Sequence, residues 1–162
     1  MDTIKILLIV ILVIVIITLA LIIYNFFGNN TTKKDINNLT DDWIKEVTVN
    51  NSPQGVYSLF CNDATLLGTV SKVKRRGKDI KKYFNYFAKL PNIKVVHKEY
   101  NISQIVNNVY VNSAFITWSW EGLEKPIVAR MTFIFRNKCI FQLHSSALPE
   151  LNEDLYKISG LK

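Results

Sequence analysis

Cysteine is scarce in this sequence, and its scarcity excludes two kinds of architecture. Only Cys61 and Cys139 occur in 162 residues, which is too few for a disulfide framework or a cysteine-based metal site. We interpret both as ordinary small apolar residues. No internal repeat is present either, and a chain of this length has room for one domain.

Charge is absent from a long stretch near the N-terminus. No charged residue lies between Lys5 and Lys33, and every residue in the range 6–23 is apolar except Thr18. A helix needs about 20 such residues to cross the ~30 Å hydrocarbon core of a bilayer. A cleaved signal peptide is the alternative, but its apolar stretch is shorter, about 7–15 residues, and ends at a small-residue cleavage site. We therefore predict a single-pass transmembrane anchor over residues 1–28.

The charges that flank this anchor do not decide its orientation. The N-terminal side carries Lys5 and the amino terminus, and the C-terminal side carries Lys33 and Lys34. N-glycosylation sequons would matter only if the domain were lumenal, and they begin at Asn29, Asn30, Asn38, Asn50 and Asn101. The sequence alone leaves the side of the membrane open.

Acidic residues are nearly absent from one basic segment, which supplies almost all of the net charge of +7. Against the single acid Asp79 it holds Lys72, Lys74, Arg75, Arg76, Lys78, Lys81 and Lys82. The segment is either a solvated loop and helix start or a surface for anionic headgroups, where each cation contributes ~1 kcal/mol. Nucleic acid is disfavoured as a partner, because Tyr83, Phe84 and Phe87 have the helical spacing of a core and not that of a stacking platform.

Helices are predicted before strands in the rest of the chain. Residues 29–40 are polar and predict a linker, after which Thr40 caps a first helix. Ser52 and Pro53 begin a second helix as N-cap and first position, and a third helix follows Gly77.

Strands dominate the second half of the sequence. The predicted strands are Ala64–Val70, Ile93–Tyr100, Val109–Trp120, Ile127–Arg136 and Lys138–Ser146. The last two are joined by a tight turn at Asn137 and should form an antiparallel hairpin. The pattern predicts an α+β domain with helices packed on one face of a sheet.

The predicted hairpin has one apolar and one mixed face, since successive residues of a strand point to opposite faces. Arg130 and Thr132 alternate with apolar residues in its first strand, and Gln142, His144 and Ser146 do so in its second. A turn at Asn137 places Arg130 opposite His144 and Thr132 opposite Gln142. The mixed face lines a pocket or faces water.

Two segments near the end of the domain resemble the nuclear transport factor 2-like superfamily. They are Ala129-Arg130-Met131-Thr132-Phe133-Ile134-Phe135 and Leu143-His144-Ser145-Ser146-Ala147-Leu148-Pro149-Glu150. They are similar to the Arg-x-Thr-Phe strand and the terminal His-His-Ser-Ser-x-x-Pro of its SnoaL-like (SgcJ/EcaC-type) branch, and to the last strand of the calcium/calmodulin-dependent protein kinase II association domain. The resemblance covers residues 41–150 and leaves residues 151–162 as a C-terminal tail. It implies a cone of three helices on a curved, mainly antiparallel sheet.

This superfamily includes enzymes, binding modules and oligomerisation hubs, so the resemblance does not assign a function by itself. We predict a membrane-tethered association or small-ligand-binding domain, without enzymatic activity, that forms a homodimer or a larger oligomer. The alternative is a SnoaL-like isomerase, cyclase or hydrolase acting on a small hydrophobic substrate. No position in the hairpin offers the Asp pair of such enzymes, and we predict no catalytic residue, metal or cofactor.

Arg130 and His144 form the centre of a candidate ligand pocket. An arginine among apolar residues of a strand reaches solvent, pairs with an acid such as Glu99 or Glu121, or binds a small carboxylate, which suits its planar fork. The other candidate pocket residues are Thr132, Gln142, Ser146, Tyr83 and Trp118.

Large aromatic residues recur on one face of the strand that contains Trp118. Trp118 and Trp120 share that face with Tyr110 and Ile116. They either line the interior of the cone or lie on an outer surface used for dimerisation, and the sequence leaves both possibilities open.

Overall fold

The computed structural model describes residues 3–27, 30–69 and 73–147, and it divides the chain into two compact units, Met1–Thr31 and Thr32–Lys162. The first unit contains helix α1, Thr3–Phe27. At ~1.5 Å per residue α1 is about 38 Å long, and its segment Thr3–Ala20 is long and apolar enough to cross a membrane. The hydroxyl of Thr18 donates to the carbonyl of Ile14 over 2.9 Å, so the polar group is satisfied within the helix. A signal sequence near the N-terminus can meet the same criteria of length and apolar composition.

The second unit is an α+β domain, as predicted. Its helices are α2 (Lys33–Thr48), α3 (Pro53–Ser58) and α4 (Lys78–Phe87). Its strands are β1 (Phe60–Leu67), β2 (Arg75–Arg76), β3 (Lys94–Val106), β4 (Val109–Ser119), β5 (Ile127–Arg136) and β6 (Cys139–Ala147). They form one six-stranded sheet in the order β2-β1-β6-β5-β4-β3, in which only β1 and β6 run parallel. The predicted tail, residues 151–162, lies outside the described residues.

Helix α2 begins at Lys33, inside the predicted linker 29–40. The side chain of Thr32 accepts a hydrogen bond from the Asp35 backbone, and the Asp35 carboxylate accepts one from the backbone of Thr32. This capping box starts the helix. Thr40 was wrongly predicted as the cap, since it is fully buried in the middle of α2. The Thr-x-x-Asp spacing was the signal that could have located the true start.

The other predicted helix starts are confirmed. Ser52 caps α3 by accepting a hydrogen bond from the backbone of Gly55 over 2.9 Å, with Pro53 at the first helical position. Helix α4 begins directly after Gly77, which has a φ of +50°. That left-handed conformation is one that glycine adopts without strain.

The β5–β6 hairpin is confirmed, but its predicted register is wrong. Asn137 and Lys138 both have positive φ, 48° and 62°, which is the signature of a two-residue type I′ turn. A bulge at Phe141 then adds one residue to β6. As a result, Arg130 lies opposite Ser146, and Thr132 lies opposite His144.

Cys61 and Cys139 form a disulfide, so the prediction of two ordinary apolar residues is wrong. Their Cα atoms are 5.2 Å apart, although 78 positions separate them in the sequence. The two residues meet because β1 and β6 are neighbours in the sheet. Local spacing carries no signal for such a pairing.

A buried polar pair joins α2 to β4. Thr40 and Asn112 are both fully buried, and the Asn112 amide donates to the Thr40 hydroxyl over 3.0 Å. Thr40 uses its own proton on the carbonyl of Ile36 over 2.8 Å, so Asn112 must be the donor of the pair. Buried polar groups of this kind stabilise a fold only while they are satisfied.

We expect Thr40→Val to destabilise the domain by ~1–3 kcal/mol, because it leaves the buried amide of Asn112 without an acceptor. Thr48→Val is the matched control, since Thr48 donates to Ile44 in the same helical geometry but is only partly buried. Urea unfolding of the two variants measures the difference. Equal losses in both variants would mean that the bond to Asn112 contributes nothing.

Candidate functional site

The space between the helices and the inner face of the sheet is filled by aromatic side chains. The ring centroid of Trp43 on α2 lies 5.9 Å from that of Phe84, 6.0 Å from Trp118 and 5.3 Å from Phe133, each in an edge-to-face arrangement. Such pairs contribute ~0.5–1.5 kcal/mol each beyond the area they bury. The cavity that remains measures about 10 Å³, enough for about one water molecule.

The polar side-chain groups at the edge of this interior are hydroxyls, which belong to Thr69, Tyr83 and Ser145. Thr69 and Ser145 share a short hydrogen bond. The backbone at Gly68 approaches the ring of Tyr83 so closely that a Cβ there would lie 2.4 Å from the Tyr83 Cζ. Among the described residues, no Asp, Glu or His is buried. This part of the chain therefore places no carboxylate or imidazole inside the cone.

The structure divides the seven residues of the candidate pocket between the two faces of the sheet. Tyr83 and Trp118 are buried in the interior. The other five lie on the outer face: Arg130, His144 and Gln142 are exposed, and Thr132 and Ser146 are half-buried. These seven side chains do not surround one cavity, because alternation along β5 and β6 sends the polar residues away from the core.

Arg130 reaches solvent. It forms no hydrogen bond or ion pair with any residue that the structure describes, and neither Glu99 nor Glu121 pairs with it. Glu99 instead accepts a hydrogen bond from His97 over 2.9 Å. Of the three outcomes predicted for Arg130, the structure shows the first.

The outer face carries a row of side chains that runs across four strands. The pairing Glu99–Phe115–Arg130–Ser146 connects β3, β4, β5 and β6, and we call these four residues the outer row. Phe115 lies in it with 46% of its surface exposed. An acid and a cation therefore flank an exposed aromatic ring.

Most of the aromatic residues of β4 lie inside the cone. Tyr110, Ile116 and Trp118 are buried, and Trp120 beyond the strand packs partly against the core. Of the two alternatives that the sequence leaves open for these residues, the structure shows the first, the interior of the cone. Alternation puts Phe115, Ser113 and Thr117 on the outer face instead.

An open basic cleft lies beside α4. It has a volume of about 610 Å³ and is lined by Val73, Lys74, Arg75, Asp79, Lys82, Tyr83 and Tyr86. The Arg75 guanidinium lies over the ring of Tyr83 at 5.2 Å. Lys82 pairs with Asp79 over 2.8 Å, and its hydrogen bond holds the pKa of that carboxyl below the usual value.

The cations of the predicted anionic-surface patch lie mostly in solvent. Lys74, Arg76, Lys78 and Lys82 are exposed, and Arg75 and Lys81 are half-buried. Lys72 lies outside the described residues. The binding of anionic headgroups by this segment stays a prediction.

Solved structures share the arrangement of these helices and strands. A candidate calcium/calmodulin-dependent protein kinase II association domain from Xanthomonas campestris is 26% identical, with a TM-score of 0.64, and the match covers 75% of this chain and 91% of that one. A candidate dehydratase of the NTF2-like family from Streptomyces avermitilis is 10% identical, with a TM-score of 0.62 and coverages of 72% and 95%. The second unit has the nuclear transport factor 2-like fold.

The nuclear transport factor 2-like fold is also shared with a domain of unknown function from Nostoc punctiforme, which is described as cystatin-like. That structure is 14% identical, with a TM-score of 0.64, and the match covers 82% of this chain and 90% of that one. No family model and no curated protein matches the sequence. Within the superfamily, the SnoaL-like branch stays a prediction.

We expect the intact domain to bind no small apolar ligand, because its interior is filled. Trp118→Ala should cost ~3–5 kcal/mol and create an apolar cavity that admits benzene or indole. The measurement is the shift in melting temperature on adding indole, with Trp120→Ala as the control outside the buried core. A large indole-induced shift in the unmodified protein would show that its interior is an open pocket.

Proposed function

We propose that the protein is a membrane-tethered association domain, anchored by α1, whose nuclear transport factor 2-like domain pairs with a second copy and performs no catalysis. The contrast between the two faces of the sheet carries this proposal. Packed aromatic rings close the inner face and leave about 10 Å³, whereas the outer face is exposed and bears charges of both signs. The similarity to a candidate association domain supports the same function.

The outer row is complementary to itself. A two-fold axis parallel to β4 at Phe115 would place β3 of one copy over β5 of the other, because adjacent strands are equally spaced at ~4.8 Å. Glu99 of each copy would then face Arg130 of the other, and the two Phe115 rings would meet near the axis. A closed two-fold interface repeats every such contact twice. The carboxylate that Arg130 can bind is thus supplied by the second copy.

Apolar side chains surround this row and give the interface its buried area. Val111 on β4 and Val128 and Ile134 on β5 are half-buried on the outer face. Sheets that pack face to face lie ~10 Å apart and bury alternate residues of this kind. Ser113 and Thr117 on β4 and Thr132 on β5 lie between these side chains on the outer face, and such small polar residues tolerate either burial beside a partner or exposure to water.

A membrane tether allows a weak interface to hold two copies together. The segment Thr3–Ala20 can span a bilayer by length and composition, and confinement to a membrane raises the effective concentration of one copy for another. A modest interface is therefore sufficient. The exposed cations of the basic segment could further hold the domain near anionic headgroups.

A SnoaL-like isomerase, cyclase or hydrolase has less support. Such an enzyme needs a cavity that encloses a substrate, and small-molecule sites measure ~300–1,000 Å³. The inner space lacks that volume, and the basic cleft beside α4 is open to solvent. Its lining contains one carboxylate, Asp79, which already pairs with Lys82.

We expect residues 30–162 to sediment as a dimer at tens of micromolar. Phe115→Ala should weaken dimerisation by about tenfold or more, equivalent to ~1.4 kcal/mol, because aromatic residues at the centre of an interface dominate its energy. Tyr86→Ala is the matched control, since Tyr86 is an exposed aromatic on α4, away from the sheet. A monomer in the unmodified protein, or equal effects of both variants, would contradict the proposal.

A charge exchange tests the orientation of the two copies. Arg130→Glu and Glu99→Arg should each weaken the dimer, because each places like charges opposite one another. The double variant should recover most of the affinity, with a coupling of ~0.5–3 kcal/mol for groups in direct contact. Sedimentation of the four proteins measures this coupling, and purely additive losses would rule out the Glu99–Arg130 contact.

A further inference from the structure

The disulfide engages both cysteines of the chain. Cys61 and Cys139 are the only cysteines in the sequence, and neither is left as a thiol. Cys61 is buried and Cys139 is half-buried, at the end of the sheet where the β5–β6 turn lies. The two cysteines are separated by 78 residues in the sequence and become neighbours only in the folded domain.

Other interactions join the same strands at this corner. The Arg136 guanidinium on β5 pairs with the Asp63 carboxylate on β1 over 2.5 Å. It also lies over the ring of Phe141 on β6 at 4.3 Å. Arg136 holds the pKa of Asp63 below its usual value by hydrogen bonding. The register of β1 against β6 is irregular between Phe60 and Thr65. The disulfide therefore links the two strands in the segment where their backbone hydrogen bonding is interrupted.

A disulfide of this kind requires a particular compartment. Disulfides persist in the endoplasmic reticulum, the periplasm and outside the cell, whereas cytosolic thiols are kept reduced. The bond forms by exchange with the disulfide of a thiol–disulfide oxidoreductase. Each cysteine loses a proton and an electron, and the oxidoreductase leaves as a dithiol.

Helix α1 supplies the route to such a compartment. As a cleaved signal sequence, or as an anchor with its N-terminus in the cytosol, it brings the following domain across the membrane. Only an anchor of the opposite orientation leaves the domain in the cytosol. The flanking residues Lys5, Lys33 and Lys34 do not decide between these orientations. The disulfide favours the orientation that places the domain outside the cytosol.

We propose that the domain lies on the oxidising, extracytoplasmic side of the membrane and that the Cys61–Cys139 disulfide forms there after translocation. The N-glycosylation sequons agree with this position. Four of them begin within the described residues, and their asparagines are all exposed: Asn30, Asn38, Asn50 and Asn101. A glycan attached at any of them would not displace a buried side chain. This inference is independent of the proposed association.

The test uses the full chain, translated in the presence of sealed endoplasmic reticulum microsomes. Protease added outside should leave the domain intact until detergent opens the vesicles. After denaturation in the presence of maleimide-polyethylene glycol, the chain should gain no adduct without reductant and two adducts with it. Cys61→Ser is the matched control and should gain one adduct without reductant, because Cys139 then lacks its partner.

Digestion of the domain in sealed vesicles would overturn the assigned side of the membrane. Two adducts without reductant in a protected domain would overturn the disulfide. Because labelling is performed on denatured protein, neither outcome depends on whether the Cys61→Ser variant folds.

Discussion

The indole of Trp43 lies at the centre of the domain, where it contacts Phe84 of α4, Trp118 of β4 and Phe133 of β5. These contacts connect two helices to the middle strands of the sheet, and they occupy the volume that a ligand would need. Alternation along the central strands β4 and β5 directs one set of side chains towards the helices and the other set away from them. Packing of these rings therefore fills the inner face of the sheet and leaves its outer face exposed.

Features that depend on neighbouring residues were predictable from the sequence. The Ser52-Pro53 helix start, the helix after Gly77 and the apolar face of β5 all follow from local spacing, and the structure confirms them. The capping box at Thr32 is also a local feature, but the segment around it is polar and was therefore predicted as a linker. Strand β3 extends to Val106, well beyond its predicted end at Tyr100, since pairing with β4 and not its own sequence sets its length.

Features that depend on tertiary pairing could not be predicted. The two-residue turn at Asn137 and Lys138 and the bulge at Phe141 each shift the register by one residue, and together they change the partner of Arg130 from His144 to Ser146. The mixed face of the hairpin was assigned correctly for Arg130, Thr132, Gln142, His144 and Ser146. Nothing in the sequence shows which face meets the helices, so Trp118 and Arg130 were grouped in one pocket. The pairing of Cys61 with Cys139 likewise follows from the adjacency of β1 and β6 in the sheet. The order of the residues along the chain does not show that these two strands are neighbours.

Association through the outer face is the central claim, and a cysteine at Ser113 tests it most directly. Ser113 lies on the outer face of β4, next to the proposed two-fold axis, so each copy would present it to the same residue of the other. In the membrane-embedded full chain, Ser113→Cys should give a reductant-sensitive covalent dimer, and Tyr86→Cys on α4 should not. A Ser113→Cys chain that stays monomeric under mild oxidation, or a Tyr86→Cys chain that dimerises equally, would contradict the account.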